Sequence, residues 1–379
     1  MTSCSRRLFL SRATAAAFAS RSTLALTAAR PVPSQPSSFL DLIRIPDLVT
    51  AFPESLGPVP LHRSGQSWQA PGINVRTSPS TAASLDLTVT APALPLKRVH
   101  LRWSAPVDTS AFYLGDAWER SYGDLSWRSV VPERVLPWYF AAHTAAGLTH
   151  GYGVRTGARA LCFWQVDPQG VSLTLDLSNG GNGVLLGQRE LAAATVLSRP
   201  GHPGERPEQA LAALCRSMCP NPRLPPGPIY GTNDWYYAYG RNSAAGILRD
   251  TDLIASVAPP AGPRPFSVID DGWEVDGTPA GQPSHNPAFP DMPNLARQIR
   301  ERGVRPGIWI RPTRAPGNAR DNLLLPTSRF RDPSASGIAP AYDPTIPESL
   351  DLILAKVQEV VGWNYDLVKH DFSTYDLLG

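Results

Sequence analysis

Near residue 220 the periodicity of the chain changes, and that change limits the fold more than any other feature. Residues 41–206 read as short strands of period two, as in Leu85-Asp86-Leu87-Thr88-Val89-Thr90, Val99-His100-Leu101-Arg102-Trp103 and Val171-Ser172-Leu173-Thr174-Leu175-Asp176-Leu177. Turn-forming runs such as residues 178–183 separate them, the pattern of a sandwich of two sheets. An amphipathic helix over 207–218 follows, with Ala210, Leu211, Leu214 and Cys215 on one face. Residues 220–228 then hold five prolines, a stiff spacer. Beyond it strands and helices alternate. Strands are expected at 229–231, 266–269, 307–310 and 365–368. Helices are expected at 243–256, 291–302 and 346–361, the last with Leu350, Ile353, Leu354 and Val357 inward. Buried strands joined through helices make right-handed parallel βαβ units. The expected class is β plus α/β: a β-sandwich over 37–206, a helix and proline-rich linker over 207–227, and the first four strands of a (β/α)₈ barrel over 228–379.

The N-terminus has a separate logic. Ser5-Arg6-Arg7-Leu8-Phe9-Leu10 precedes an Ala-rich, mildly apolar stretch without an acidic residue, so residues 1–29 read as a twin-arginine export signal. The expected location is therefore periplasmic or extracellular. Ser20, Arg21 and Ser22 interrupt the apolar stretch, which argues against a permanent membrane anchor. Losing this segment's four arginines would take the formal net charge from +3 to −1, so the balance gives no reason to expect a nucleic-acid partner. Cys162, Cys215 and Cys219 would remain. Without nearby ligands to complete a metal set, they read as buried thiols.

In a parallel barrel the reactive side chains gather at the C-terminal ends of the strands, where the loops share one mouth. The four strand ends here are Asn233-Asp234-Trp235, Asp270-Asp271-Gly272-Trp273, Trp309-Ile310-Arg311 and Lys369-His370-Asp371-Phe372. Tryptophan offers a flat, rigid face to a sugar ring. Paired carboxylates accept from vicinal hydroxyls, and a carboxylate facing an anomeric carbon can attack it. Lys369 lies two residues before Asp371 and so on the same side of its strand, where it would keep that carboxylate ionised. Any one of these groups has an ordinary structural reading: a turn at Asp271-Gly272, barrel core at Trp309, a surface ion pair at Lys369 and Asp371. Four loaded ends in succession favour a sugar-binding active site. His370 should face the other way, Asp366 belongs to the opposite end of its strand, and Asp376 falls in a loop, either solvated or positioning substrate. The histidines lack ligand spacing, so neither metal nor other cofactor is expected.

These residues resemble a known family. Ile269-Asp270-Asp271-Gly272-Trp273, Gly303-Val304-Arg305-Pro306-Gly307-Ile308-Trp309 and Leu367-Val368-Lys369-His370-Asp371-Phe372 are similar to motifs of the α-galactosidases of glycoside hydrolase family 36. The resemblance covers about residues 229–379 and implies a retaining mechanism on α-galactosides through a covalent glycosyl-aspartate. It makes Asp371 the nucleophile and Lys369, Asp270 and Asp271 sugar ligands. Trp309 and Trp235 become ring-contacting positions, with Trp273 supporting the sugar site from behind. The expected partner is an oligosaccharide or glycoside, and copies of the chain could assemble through the β-sandwich.

Two departures stand out. The family often supplies a substrate arginine before the fourth strand; residues 337–342 have none, and Arg311 or Arg314 could substitute. The acid/base carboxylate belongs on a later strand, which would lie beyond Gly379, and a barrel of this kind takes roughly 250 residues. The expectation is a fragment without full turnover, its acid/base residue unassigned. An α-N-acetylgalactosaminidase, a galactosyl transferase and a secreted non-catalytic sugar-binding protein are the alternatives, with a purely structural β-sandwich protein the weakest of them.

Overall fold

The computed structural model describes residues 39–117, 125–179, 181–275, 284–326 and 340–378. The proposed export signal, residues 337–339 and Gly379 lie outside the described residues. No described helix is long and apolar enough to cross a membrane.

Two antiparallel sheets come first. The six-stranded sheet runs, in spatial order, Val59–Pro60, Leu48–Pro53, Leu96–Ser104, Gly170–Asp176, Leu161–Asp167 and Leu136–Pro137. The eight-stranded sheet runs His62–Ser64, Ser67–Ala70, Ile73–Thr81, Ser84–Thr90, Leu191–Arg199, Thr149–Val154, Tyr139–His143 and Phe112–Gly115. Alternation at every second residue turns one set of side chains from each strand inward. Val99, Leu101 and Trp103 of one sheet and Leu85, Leu87 and Val89 of the other join a single buried core. Burying such side chains contributes roughly 1.5–3 kcal/mol each before conformational entropy is charged against it.

Helix α1 (Pro207–Met218) leaves the last of these strands and docks Leu214 and Met218 against Leu197. Gly151 and Gly153 permit this approach, since a Cβ at Gly153 would lie 2.8 Å from the Met218 sulfur. The face differs in one respect from expectation: Met218 takes the inner place assigned to Cys215, because the apolar partners continue at i+4 from Leu214. Cys215 is exposed and Cys219 half-buried, so only Cys162 is the buried thiol expected, and burial pushes its pKa up to about 12.

The third sheet is parallel, in the order Gly231–Asn233, Phe266–Ile269, Arg305–Ile310 and Leu367–His370. Between its strands run α2 (Trp235–Ala238), α3 (Ala244–Val257), α4 (Met292–Glu301) and α5 (Pro347–Gly362), and α6 (Ser373–Leu378) follows the last. Caps set the helix starts: Ser243 Oγ accepts from the Gly246 N–H, and the Asp291 carboxylate accepts from the Asn294 N–H. Ile247, Leu295, Ile299 and Val360 meet Ile269, Ile308 and Ile310 in a second core.

Three expectations need correction here. The first parallel strand, expected at 229–231, is Gly231–Asn233. The fourth strand begins two residues later than expected, because Asn364 takes a left-handed φ of 65° and ends the α5 turn before the chain straightens. In α5, Leu350 and Leu354 are exposed, whereas Ser349, Ile353 and Val360 are buried. The Ser349 hydroxyl, on the buried side, donates to the Leu323 carbonyl at 2.8 Å.

Candidate active site

The parallel register brings the loaded strand ends together. Trp309 pairs with Lys369 and Ile310 with His370, and Asn233 stands beside Val268, two residues short of Asp270. Continuing one step, the Asp371 N–H donates to the Ile310 carbonyl at 3.0 Å, so the last ladder bond seats Asp371 at the sheet's C-terminal rim.

At that rim the polar side chains form one connected chain. The Asp371 Oδ2 accepts from the Trp309 indole N–H at 2.9 Å, and Oδ1 accepts from the Phe372 backbone N–H at 2.9 Å. Lys369 Nζ lies 3.8 Å from Asp371 Oδ2 and donates to Asp270 Oδ2 at 2.6 Å. The same Asp270 oxygen accepts from Asn233 Nδ2 at 2.5 Å, and its Oδ1 accepts from the Asp271 N–H. Asp270 is 2 % exposed, so a cation and two neutral donors around it are what burying an anion requires. Asp371, by contrast, keeps about a third of its side-chain surface open to solvent. A carboxylate oriented by two donors, with an ammonium nearby and an open face, is arranged to act on a bound electrophile.

A second carboxylate stands behind the first. Asp234 accepts from the Asp270 N–H at 2.7 Å and from Asn242 Nδ2 at 2.9 Å. Burial raises its pKa above the usual carboxylate value; the hydrogen bonds oppose that shift and the charge of Asp270 adds to it. Asn242 also donates to the Asp270 and Asp271 carbonyls, tying the loop after α2 to the second strand end. Gly272 is required at this junction. Its φ is 113°, and a Cβ there would fall 2.4 Å from the Gly240 carbonyl oxygen.

The tryptophans divide their duties. Trp309 is 3 % exposed and Trp273 fully buried, so Trp273 has no surface to offer a ligand and Trp309 almost none. The Trp273 indole N–H donates to the Trp309 carbonyl at 2.8 Å, and Trp309 in turn holds Asp371. Behind them Lys356, paired with Glu274 at 2.7 Å, sits 4.9 Å above the Trp273 ring. Trp273 therefore stands behind the rim, and the ring contact expected of Trp309 is corrected: its visible role is to orient Asp371. Trp235 is half-buried at the start of α2, edge-on to Tyr239.

Of the other residues singled out in the sequence, Asp376 and Arg311 differ from expectation, and His370 and Asp366 do not. Asp376 lies in α6 rather than a loop and is buried, with its oxygens receiving Arg311 Nε at 3.0 Å and the Thr313 hydroxyl at 2.7 Å. Arg311, a candidate substrate ligand, is thus engaged by Asp376, with its guanidinium 4.6 Å from the Phe372 ring centre. His370 is exposed and bonds the Ser373 hydroxyl, on the face opposite Asp371's partners. Asp366 pairs with Arg300 and Arg305 at the strand's other end. Among the described residues no group of three or more His, Cys, Asp or Glu side chains could hold a metal ion. Asn233, Asp234 and Asn242 were missed as site residues. The first two stood in a motif already noticed, but nothing in the sequence marks Asn242.

No family model and no curated protein matches the sequence. Solved structures do. The chain is similar to TtGalA, an α-galactosidase from Thermus thermophilus in complex with p-nitrophenyl α-D-galactopyranoside, at 19 % identity and a TM-score of 0.51, over 85 % of this chain and 63 % of that one. It is also similar to the family 36 α-galactosidase AgaA from Geobacillus stearothermophilus, at 15 % identity and a TM-score of 0.50, over 79 % of this chain and 46 % of that one. Over these spans the fold is similar to that of family 36 α-galactosidases. At these identities the likeness concerns fold alone, and the chain spans about 63 % of the Thermus enzyme's length.

Proposed function

We propose that the chain carries the nucleophile half of a retaining glycoside hydrolase acting on α-galactosides. Residues 228–379 are read as the opening four strands of a (β/α)₈ barrel and the two antiparallel sheets as a β-sandwich ahead of it. Asp371 attacks the anomeric carbon and forms the glycosyl-aspartate. Asp271 and Lys369 receive the hydroxyls on the far side of the ring, and Trp235 lies against the ring's apolar face. The buried Asp270, expected to join them, holds Lys369 in place instead. Retention calls for a second carboxylate roughly 5–5.5 Å from the nucleophile to protonate the leaving group. Asp270 does not fit that office, because Lys369 and Asn233 already occupy it.

The observation that carries this reading is the double hold on Asp371 by the Trp309 and Phe372 N–H groups, with Lys369 joining it to a buried carboxylate. An inactivator with a good leaving group needs no acid catalyst, so it tests the nucleophile by itself. Incubation with an activated 2-deoxy-2-fluoro-α-galactosyl donor should add one glycosyl mass to the chain, located at Asp371 by peptide mapping. Asp371→Asn should remain unlabelled. Saturable galactoside binding without any covalent adduct would replace this reading with that of a non-catalytic sugar-binding protein.

A further inference from the structure

One cation beside the parallel sheet, Lys356, has no part in the chemistry above, and its setting is unusual for a lysine. It sits on α5 with 22 % of its side chain exposed. Its Nζ lies 2.7 Å from Glu274 Oε2, 3.6 Å from Glu359 Oε2 and 4.9 Å from the centre of the Trp273 ring. The Ser284 hydroxyl donates to the other Glu359 oxygen at 2.8 Å. Drawing a lysine and two glutamates out of water against an aromatic ring adds little to stability, because apolar side chains of the same volume often serve as well or better. What such a group can supply is a fixed geometry.

That geometry leads to Asp371. Trp273 is fully buried, and its ring meets Trp363, the residue that closes α5, edge-to-face at 5.6 Å. Lys356 and Trp363 thus hold the ring from the same helix. The ring has one polar atom, the indole N–H, which donates to the Trp309 carbonyl at 2.8 Å. Trp309 lies in the strand Arg305–Ile310, and its own indole N–H donates to Asp371 Oδ2 at 2.9 Å. Three contacts therefore join the ammonium to the carboxylate: cation to ring, ring to strand carbonyl, and indole to Oδ2. In chain order α5 also precedes the strand that ends at Asp371, so the helix that carries the brace is the one that delivers the nucleophile.

We propose that Lys356 is a positioning residue for Asp371, acting through Trp273 and Trp309 rather than on the sugar. This rests on the reading of Asp371 as the nucleophile. The ammonium over its ring and the Trp363 edge leave Trp273 one orientation, which sets where the Trp309 carbonyl, and with it the Trp309 indole, can stand. A nucleophile attacks well only within a narrow range of distance and angle. Loosening one of the two donors that orient Asp371 therefore slows attack without changing how the sugar is held.

The test is the rate at which the activated 2-deoxy-2-fluoro-α-galactosyl donor labels the whole chain, followed by intact mass at several donor concentrations to give kinact and KI separately. Lys356→Met keeps the stem and loses the charge. It should lower kinact about tenfold with KI changed by less than about twofold, and Lys356→Arg, which keeps a cation over the ring, should recover most of the loss. Trp273→Phe removes the indole N–H and should also slow labelling, and the double variant Lys356→Met/Trp273→Phe should be no slower than the slower single variant. An unchanged kinact in Lys356→Met, a change confined to KI, a loss that Lys356→Arg does not recover, or losses that multiply in the double variant would each overturn the role while the nucleophile reading stands. If the wild-type chain takes no label, that reading falls and the role with it. Because kinact comes from the time course of the fraction that labels, a partly folded variant still reports it, and Lys356→Gln repeats the measurement if Lys356→Met does not fold.

Discussion

The bond between Lys369 and Asp270 decides whether the rim is a built site or an ordinary charged surface. An exposed ion pair contributes about 0.2–1 kcal/mol, whereas removing one partner of a buried pair costs about 3–5 kcal/mol because an uncompensated charge is left behind. Here the two ends differ. Asp270 is 2 % exposed and 2.6 Å from the ammonium, while the Lys369 side chain keeps 39 % of its surface. Solvent reaches the cation and screens it, and the anion retains Asn233 and the Asp271 N–H when the cation goes. The expected coupling therefore falls between the two limits, at about 2 kcal/mol, or roughly thirtyfold in a folding equilibrium. The assay is a double-mutant cycle with Lys369→Met, Asp270→Asn and the pair, by urea unfolding followed through tryptophan fluorescence. Trp273 and Trp309 are both buried and hydrogen-bonded to one another next to this rim, so they report on it. The same cycle with Asp371→Asn should give a smaller coupling, because that contact is 3.8 Å long and more open. A Lys369–Asp270 coupling below about 0.5 kcal/mol would place the pair among exposed surface bridges and refute the argument.

Three further outcomes are expected. Asp376→Ala should destabilise the chain by about 3 kcal/mol, since it leaves Arg311 and the Thr313 hydroxyl without their buried partner; a change under about 1 kcal/mol would show that α6 does not hold them. Asp234 binds its proton more tightly folded than unfolded, so its contribution to stability is fully present below its ordinary pKa of 3.8 and is lost as pH rises through the raised value. The stability of the wild-type chain relative to Asp234→Asn should accordingly fall across that window, and a rise would contradict the shift. Replacing Arg6 and Arg7 by lysine together should leave a precursor inside the cell under twin-arginine export, as fractionation would show; unchanged export would remove that assignment.

The sequence made the parallel sheet legible because local and tertiary signals agree there. Ile269, Ile308 and Ile310 are apolar strand residues whose neighbours in sequence bear the chemistry, and the rule that parallel strands end at a common rim placed Asp270, Lys369 and Asp371 together. Direction along a strand was equally readable, which is why Asp366 fell at the opposite end. Three features resisted. The face of α5 that turns inward carries Ser349, whose hydroxyl meets the Leu323 carbonyl 26 residues away, while Leu350 and Leu354 stay exposed. Whether a tryptophan stacks on a ligand or holds a catalytic group depends on its exposure, and composition treats the buried Trp309 and the half-exposed Trp235 alike. Asn242 acts only through where its loop is pinned by the glycine at 272.

These failures share a cause that bears on the site itself. Each concerns a polar group whose partner is remote in sequence, and the candidate site consists mainly of such groups. Asn233 and Asp270 are 37 residues apart, and Asp270 and Lys369 are 99. Carboxylates, amides and an ammonium at strand ends are visible as a list; which of them is spent on holding another is not. The distinction decides function, because only a group left open can meet a substrate. Asp270 is spent inward on Lys369 and Asn233, and Trp309 on Asp371, which leaves the open third of Asp371 as the surface where chemistry can begin.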